Sequence, residues 1–175
     1  EDNGLIADYC NRVSYALHRG RFCADVLVVH PVESAYCRFS ATGGTVEDPQ
    51  GKIGADLEEM NESFAGLSER LMRIHRGFEY GDETLIARHG RVSGAAIEIG
   101  QMRYRVVVLP DLITLRRSTI ELLTDFLDGG GTVLATGALP TRIDGKTSEA
   151  IRTLTDRFTR VPRWSGAAIR SPSNP

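Results

Sequence analysis

The sequence predicts an α/β protein built on an open, mostly parallel β-sheet with helices on both faces. Three short runs carry this prediction, at residues 24–30, 105–110 and 132–137. Each contains three or four consecutive aliphatic residues with β-branched members, which is too short for a helix and typical of a strand buried on both faces. Helix-like stretches separate the runs, and strands that alternate with helices form βαβ units with right-handed crossovers.

The first helix and the first strand open this pattern. Residues 5–19 place apolar side chains three or four positions apart, which predicts an amphipathic helix. Asp2 or Asn3 is its candidate cap, and Gly20 is its candidate end. The strand at 24–30 follows.

A long loop, two helices and a short strand come next. Residues 36–54 are rich in Gly, Thr and Asp and predict a loop. Apolar residues three or four positions apart predict a helix over 56–76. A strand is predicted at 78–80, and Asp82 is a candidate N-cap for a short helix over 83–88.

The second half repeats the alternation. Residues 91–104 contain an alternating segment between glycines and predict a small strand or hairpin that leads into the strand at 105–110. Ser118 is the candidate cap of the next helix, and the glycines at 129–131 end it before the strand at 132–137.

The C-terminal part completes the predicted sheet. A last helix begins at Thr147 or Ser148, and residues 160–161 are a candidate fifth strand. With about five strands, we expect a three-layer sheet in the flavodoxin-like order 2-1-3-4-5. In that order the loops after the first and third strands flank the topological switch point, where such sheets bind ligands.

The chain of 175 residues is long enough for one domain of ordinary size. It begins without Met, and we interpret it as a piece of a longer protein. We expect a helix at 1–20 that continues from an upstream domain, an α/β domain over 21–162 and a tail or linker at 163–175.

Composition limits the partners. The net charge of −2 favours neither nucleic acid nor a membrane surface as a partner, and no run approaches the roughly 18 apolar residues of a membrane span. Cys10, Cys23 and Cys37 form neither a metal-binding spacing nor an even disulfide set, so we expect them to be small buried hydrophobic residues. We expect a soluble protein, cytoplasmic rather than secreted, with no metal or other cofactor.

The turn after the third predicted strand of the sheet argues against acyl transfer. Enzymes of this architecture place a Cys or Ser there, on a strained turn with glycine neighbours. This chain has Pro110, Asp111 and Leu112 instead. The turn after the first strand also lacks the glycines that a nucleotide phosphate requires. We therefore assign no catalytic residue.

Polar residues follow the first two predicted strands and form the candidate ligand site. They are His30, Glu33 and Ser34 after the first strand, and Asp82 and Glu83 after the second. Because these strands are neighbours in the expected order, the side chains can converge on one rim and bind a sugar or another small ligand. The alternative is structural: Asp82 caps a helix, Glu83 lies in its first turn and His30 bonds to backbone.

Several segments, in a fixed order, resemble a known family. They are residues 11–20, 24–36, 78–83, 88–92 and 104–110, followed by Thr114, Leu115, Ser118 and Thr119. Over roughly residues 5–145 the chain resembles the segment that follows the catalytic barrel in large bacterial glycoside hydrolases of the α-L-rhamnosidase type. The architecture is also similar to the trimerisation domain of certain β-galactosidases, which is related to class I glutamine amidotransferases without their nucleophile.

This resemblance implies a non-catalytic accessory or assembly domain. In such enzymes the catalytic carboxylates belong to the barrel, so none is transferred to a position of this chain. The implied parent is a glycoside hydrolase, and this chain is expected to be inactive on its own. The implied partners are the upstream catalytic barrel, further copies of the chain and carbohydrate. The alternative function is a carbohydrate- or small-ligand-binding module that uses the loops after the first two strands.

Overall fold

The computed structural model describes residues 3–20, 22–38 and 55–162. The predicted loop over 36–54 lies outside the described residues from residue 39 onward, and so does the predicted tail at 163–175.

The described residues alternate between strands and helices, as expected. The helices are α1 (Asn3–His18), α2 (Val32–Tyr36), α3 (Ala55–Arg73), α4 (Glu83–His89), α5 (Arg117–Asp128) and α6 (Arg152–Thr155), with a 3₁₀ turn at Glu149–Ile151. The strands are β1 (Val26–Val29), β2 (Phe78–Gly81), β3 (Gly90–Val92), β4 (Ile97–Ile99), β5 (Met102–Tyr104), β6 (Val106–Leu109), β7 (Thr114–Leu115), β8 (Thr132–Ala135), β9 (Arg142–Ile143), β10 (Lys146–Thr147) and β11 (Thr159–Arg160).

Five parallel strands form the main sheet, in the order β2-β1-β6-β8-β11. In the register of its centre, Val26 of β1 pairs with Phe78 of β2 on one side and with Val106 of β6 on the other. Each strand of this sheet overlaps one of the five predicted strands. The predicted α/β class with a parallel sheet is therefore confirmed.

Two small sheets complete the described strands. The hairpin predicted within 91–104 is a three-stranded antiparallel sheet of β3, β4 and β5. In the second, β7 pairs in parallel with β9, which pairs antiparallel with β10. Strand β7 lies in the segment after β6 that was expected to be a loop.

The core lies on both faces of the main sheet, because successive residues of a buried strand point to opposite sides. On one face, Leu67 and Leu71 of α3 pack with Val26, Val28 and Val108. On the other face, β1, β6 and β8 pack against α4, α5 and α6 through a larger cluster. Its helix members include Ile86, Leu123, Phe126 and Leu154.

Helix α1 contributes nothing to this core. None of its 16 residues is buried, and Leu5 and Leu17 are 75% and 74% exposed. None of the helices in the described part of the chain is long and apolar enough to cross a membrane.

Three local predictions are wrong. The cysteines are exposed, because Cys10 lies on the unpacked α1, Cys23 precedes β1 and Cys37 ends the surface helix α2. Ser118 is not the cap of α5; Arg116 is its N-cap residue, and the Arg116 side chain makes no capping bond. Helix α2 also begins directly after β1, within the segment that was expected to be the loop after the first strand.

Candidate functional site

The loops after β1, β2 and β6 meet at the carboxyl edge of the main sheet. These strands are neighbours, Val29 pairs with Gly81, and the His30 N–H donates to the Gly81 carbonyl at 3.0 Å. All five predicted site residues lie at this edge, as the topology requires: His30, Glu33, Ser34, Asp82 and Glu83. Their side chains, however, contact different parts of the protein.

Glu33 forms an ion pair with Arg116, a residue that the sequence analysis missed. Glu33 Oε1 accepts a hydrogen bond from Arg116 Nε at 2.8 Å and a second from the terminal guanidinium nitrogen. The bond to Glu33 raises the pKa of Arg116 above its ordinary value, and the nearby Glu83 and Asp82 carboxylates act in the same direction. The pair therefore ties α2 to the start of α5.

One sequence signal pointed to Arg116. Arg116 lies two residues before Ser118, the predicted cap of the helix that became α5. A cation at the N-terminus of a helix is unfavourable, because that end of the helix dipole is positive, unless acidic groups lie nearby. The structure supplies those acids. Glu83 Oε2 accepts the Arg116 N–H at 2.8 Å, and Asp144 Oδ1 accepts the Arg117 N–H at 3.1 Å.

Glu83 is the most deeply buried carboxyl of the set, at 1% exposure. It is the first residue of α4, and its carboxylate also faces the first turn of α5. Burial raises the pKa of Glu83, whereas the Thr119 side chain and the Arg116 N–H lower it; burial prevails. Glu83 thus joins two helix N-termini inside the protein.

Asp82 is the N-cap of α4, as predicted. Its Oδ1 accepts the N–H groups of Thr84 at 2.8 Å and Leu85 at 3.2 Å. Burial raises the pKa of Asp82, but these backbone bonds outweigh burial and the pKa is lowered.

We expect Asp82→Ala to destabilise the protein by about 1 kcal/mol, the usual cost of losing an N-cap side chain. Because the pKa of Asp82 is lower in the folded protein, the carboxylate stabilises it above about pH 4, and this contribution is lost as the pH falls further. Urea denaturation at pH 7 and pH 3 measures both effects. A difference between wild type and variant that grows on acidification would contradict the assignment.

Ser34 is fully buried, and its hydroxyl binds backbone N–H groups of the segment after β6. Its Oγ accepts the N–H groups of Ile113 at 2.9 Å and Thr114 at 3.2 Å. The hydroxyl is thus engaged with backbone 79 and 80 residues away in sequence, and it holds α2 against β7.

His30 turns toward the face of the sheet that α3 covers. Its ring centroid lies 5.3 Å from that of Phe64 and 6.2 Å from that of Tyr80, both in edge-on geometry. The structure therefore separates His30 from the carboxylates that gather around Arg116.

A cleft of about 230 Å³ opens beside the Glu33–Arg116 pair. Its other lining residues are Tyr36, Cys37, Thr114, Asp144 and Gly145. Only Glu33, among the predicted site residues, lines this cleft. A cleft with one cation and two carboxylates suits a small polar molecule with several hydroxyl groups.

Asp111 lies at the bend after β6, where some enzymes with an open parallel α/β sheet carry a Cys or Ser nucleophile. Asp111 is 7% exposed; its Oδ1 accepts the Ala138 N–H at 2.7 Å, and its Oδ2 accepts the Ser63 hydroxyl at 2.5 Å. A Cβ atom at position 137 would overlap this carboxylate, so the approach requires Gly137. Asp111 thus fastens the bend to α3 and to the loop after β8.

The fold and the site define an α/β protein whose carboxyl edge is held together by carboxylate hydrogen bonds. Within residues 3–20, 22–38 and 55–162, no group of three or more His, Cys, Asp or Glu side chains is arranged to hold a metal ion. Compared with models of protein families and with curated protein sequences, the chain matches none.

Proposed function

We propose that this chain is a non-catalytic accessory or assembly domain of a larger glycoside hydrolase. In this proposal the catalytic barrel lies upstream in the same parent chain, and the domain packs beside it or joins copies of the protein. The observation that carries the proposal is the bend after β6, which has Pro110 and Asp111 in place of a thiol or hydroxyl. The Asp111 carboxylate is already bonded to Ala138 and Ser63.

The strand order supports a flavodoxin-like architecture for this domain. If the short strands outside the main sheet are left out, β2-β1-β6-β8-β11 corresponds to the order 2-1-3-4-5. Helices on both faces agree with the three-layer arrangement. This order is also the one expected for the amidotransferase-related trimerisation domains to which the predicted architecture is similar.

The carboxylates at the sheet edge support a role without catalysis. A general acid or base must be free to reach a substrate proton. Glu33 is paired with Arg116, Asp82 caps α4 and Glu83 accepts the Arg116 N–H. Each acid at this edge therefore has a structural partner.

The test is an assay of the purified chain on a panel of aryl glycosides and aryl esters. We expect no turnover above the rate in buffer. Turnover that Asp111→Asn or Glu33→Gln abolishes, while an exposed carboxylate variant such as Asp125→Asn leaves it unchanged, would overturn the proposal.

A second candidate function is favoured by the cleft beside Glu33 and Arg116. Carbohydrate hydroxyls pair well with carboxylates and guanidinium groups, and this cleft lies at the edge of the sheet where α/β proteins bind ligands. NMR titration with monosaccharides tests it. Saturable shifts confined to the cleft and lost in Arg116→Gln would support it, whereas flat titrations at millimolar sugar would remove it.

A further inference from the structure

The buried hydroxyl of Ser34 lies beside the cleft, and backbone groups occupy all of its bonding positions. Its Oγ accepts the N–H groups of Ile113 at 2.9 Å and Thr114 at 3.2 Å, and it donates to the Thr114 carbonyl at 3.4 Å. A serine hydroxyl has one donor and two acceptor positions. Ser34 therefore acts on the cleft through Thr114, which lines it, rather than by contact with a ligand.

Thr114 continues the connection to the turn between β9 and β10. This residue is buried; its Oγ1 accepts the Gly145 N–H at 2.9 Å and donates to the Arg142 carbonyl at 3.3 Å. The Arg142 N–H in turn donates to the Ile113 carbonyl at 3.1 Å. The hydroxyls of Ser34 and Thr114 thus connect α2 with β7 and with the β9–β10 turn.

The start of α5 closes these contacts into a ring. Asp144 of the turn accepts the Arg117 N–H at 3.1 Å, and the neighbouring Arg116 donates to Glu33 at 2.8 Å. Glu33 and Ser34 are consecutive residues of α2, so the contacts return to the helix at which they began. We call this set the contact ring. Most residues that line the cleft belong to it: Glu33, Thr114, Arg116, Asp144 and Gly145.

We propose that Ser34 and Thr114 are positioning residues of this cleft, and that they hold Glu33 and Asp144 in the arrangement that binds one neutral monosaccharide. The inference rests on the second candidate function proposed above and deepens it. Side chains that are already held in place lose less conformational entropy when a ligand binds. The contact ring therefore contributes to affinity without touching the ligand.

The size and charges of the cleft support this class of ligand. Its volume of about 230 Å³ is below the roughly 300–1,000 Å³ of sites for drug-sized molecules, so it suits one sugar unit rather than an oligosaccharide. The Arg116 guanidinium is already engaged by Glu33, and the Asp144 carboxylate also lines the cleft. Neutral hydroxyl groups therefore suit the cleft better than a ligand carboxylate does.

NMR of the whole chain tests the proposal with two matched pairs of variants. Ser34→Ala and Thr114→Val each remove one hydroxyl of the contact ring. Ser68→Ala and Thr136→Val are the controls, because they remove buried hydroxyls of the same kinds that bond to backbone carbonyls elsewhere. The probes are D-glucose, D-galactose and D-mannose. The readouts are Kd and the hydrogen-exchange rate of the Gly145 N–H.

We expect the wild type to bind at least one of the three sugars. Ser34→Ala and Thr114→Val should each raise Kd at least about tenfold, whereas the two controls should change it by less than about twofold. The Gly145 N–H should exchange about tenfold faster in Ser34→Ala, although its bond is to Thr114 and not to Ser34. Circular dichroism checks that each variant is folded, and exchange of the β6 amides corrects for changes in global stability.

Sugar binding as tight as that of the wild type in Ser34→Ala, or unchanged exchange of the Gly145 N–H, would overturn the positioning role. Either result is expected if Ser34 only holds α2 in place. If Ser34→Ala does not fold, the Kd of Thr114→Val decides in the same way. Flat titrations of the wild type at millimolar sugar would overturn the sugar site and the positioning role together. The accessory-domain proposal, which is tested by turnover, would then still stand.

Discussion

Replacing Asp111 with Ala is expected to destabilise the protein by about 3 kcal/mol, which lowers Tm by about 6–12 °C. The carboxylate accepts the Ala138 N–H and the Ser63 hydroxyl, and Asp111 is only 7% exposed. Hydrogen bonds to a charged group contribute about 1.5–3 kcal/mol each, and the Ala variant loses the acceptor of both the Ala138 N–H and the Ser63 hydroxyl. Thermal unfolding followed by circular dichroism measures the effect.

The variant Asp111→Asn separates the effect of the hydrogen-bond geometry on stability from the effect of the negative charge. The amide keeps an oxygen for the Ala138 N–H and a polar nitrogen for Ser63, so we expect a loss of about 1 kcal/mol. Asp125→Ala, an exposed carboxylate of α5, is the control and should change stability by less than about 0.5 kcal/mol. If Asp111→Ala were as stable as the wild type, the carboxylate would be free for chemistry, and the argument for an inactive bend would fail.

Replacing Glu83 with Ala should lower stability by about 2–3 kcal/mol, because the variant leaves the Arg116 N–H without its acceptor and opens a cavity. Glu83→Gln retains an acceptor oxygen and removes the buried charge. At pH 7 we therefore expect the Gln variant to be at least as stable as the wild type.

The pH dependence gives Glu83 a sharper test. Its pKa is raised in the folded protein, so the folded state holds the proton more tightly than the unfolded state does. The protonated Glu83 side chain therefore stabilises the folded protein fully below about pH 4, and this stabilisation is lost as the pH rises through the pKa of the folded state. We expect the free energy of unfolding of the Gln variant, relative to that of the wild type, to increase as the pH rises from about 4 to about 7, as measured by urea denaturation.

The matched control is Glu121→Gln on the exposed side of α5, which should show no such trend. If the wild type instead became more stable relative to the Gln variant with rising pH, the helix N-terminus and Arg116 would lower the pKa of Glu83 by more than burial raises it. In that case Glu83 would be a stabilised carboxylate rather than a buried acid.

Much of the fold followed from local patterns. The aliphatic runs at 24–30, 105–110 and 132–137 each contribute a strand to the main sheet, because the inner strands of a parallel sheet covered on both faces are near-continuous apolar runs. The Asp82 cap was also predictable, since an N-cap aspartate bonds to backbone two and three residues ahead. The C-terminal end of α3 was predicted less well. The periodicity predicted helix to residue 76, whereas α3 ends at Arg73 and His75 takes a left-handed conformation.

The candidate site was predicted as a location but not as a set of contacts. Neighbouring parallel strands brought all five residues to one edge, which topology alone requires. Which partner each side chain meets depends on packing: Glu33 meets Arg116 from 83 residues away, and His30 packs on Phe64. Packing also explains why the cysteines are exposed although burial was expected. Cysteine is a residue type that favours burial, but the three cysteines lie in segments at the surface.

Apolar runs and capping residues were enough to predict a parallel α/β chain, and the sequence itself has Pro110 and Asp111 rather than a thiol or hydroxyl at the central bend, because these features act through neighbours along the sequence. The ion pair of Arg116 with Glu33, the bonds of Asp111 to Ser63 and Ala138 and the unpacked state of α1 arise only when distant segments are placed in three dimensions. Interactions of that kind depend on spatial distance, and local sequence patterns contain no information about it.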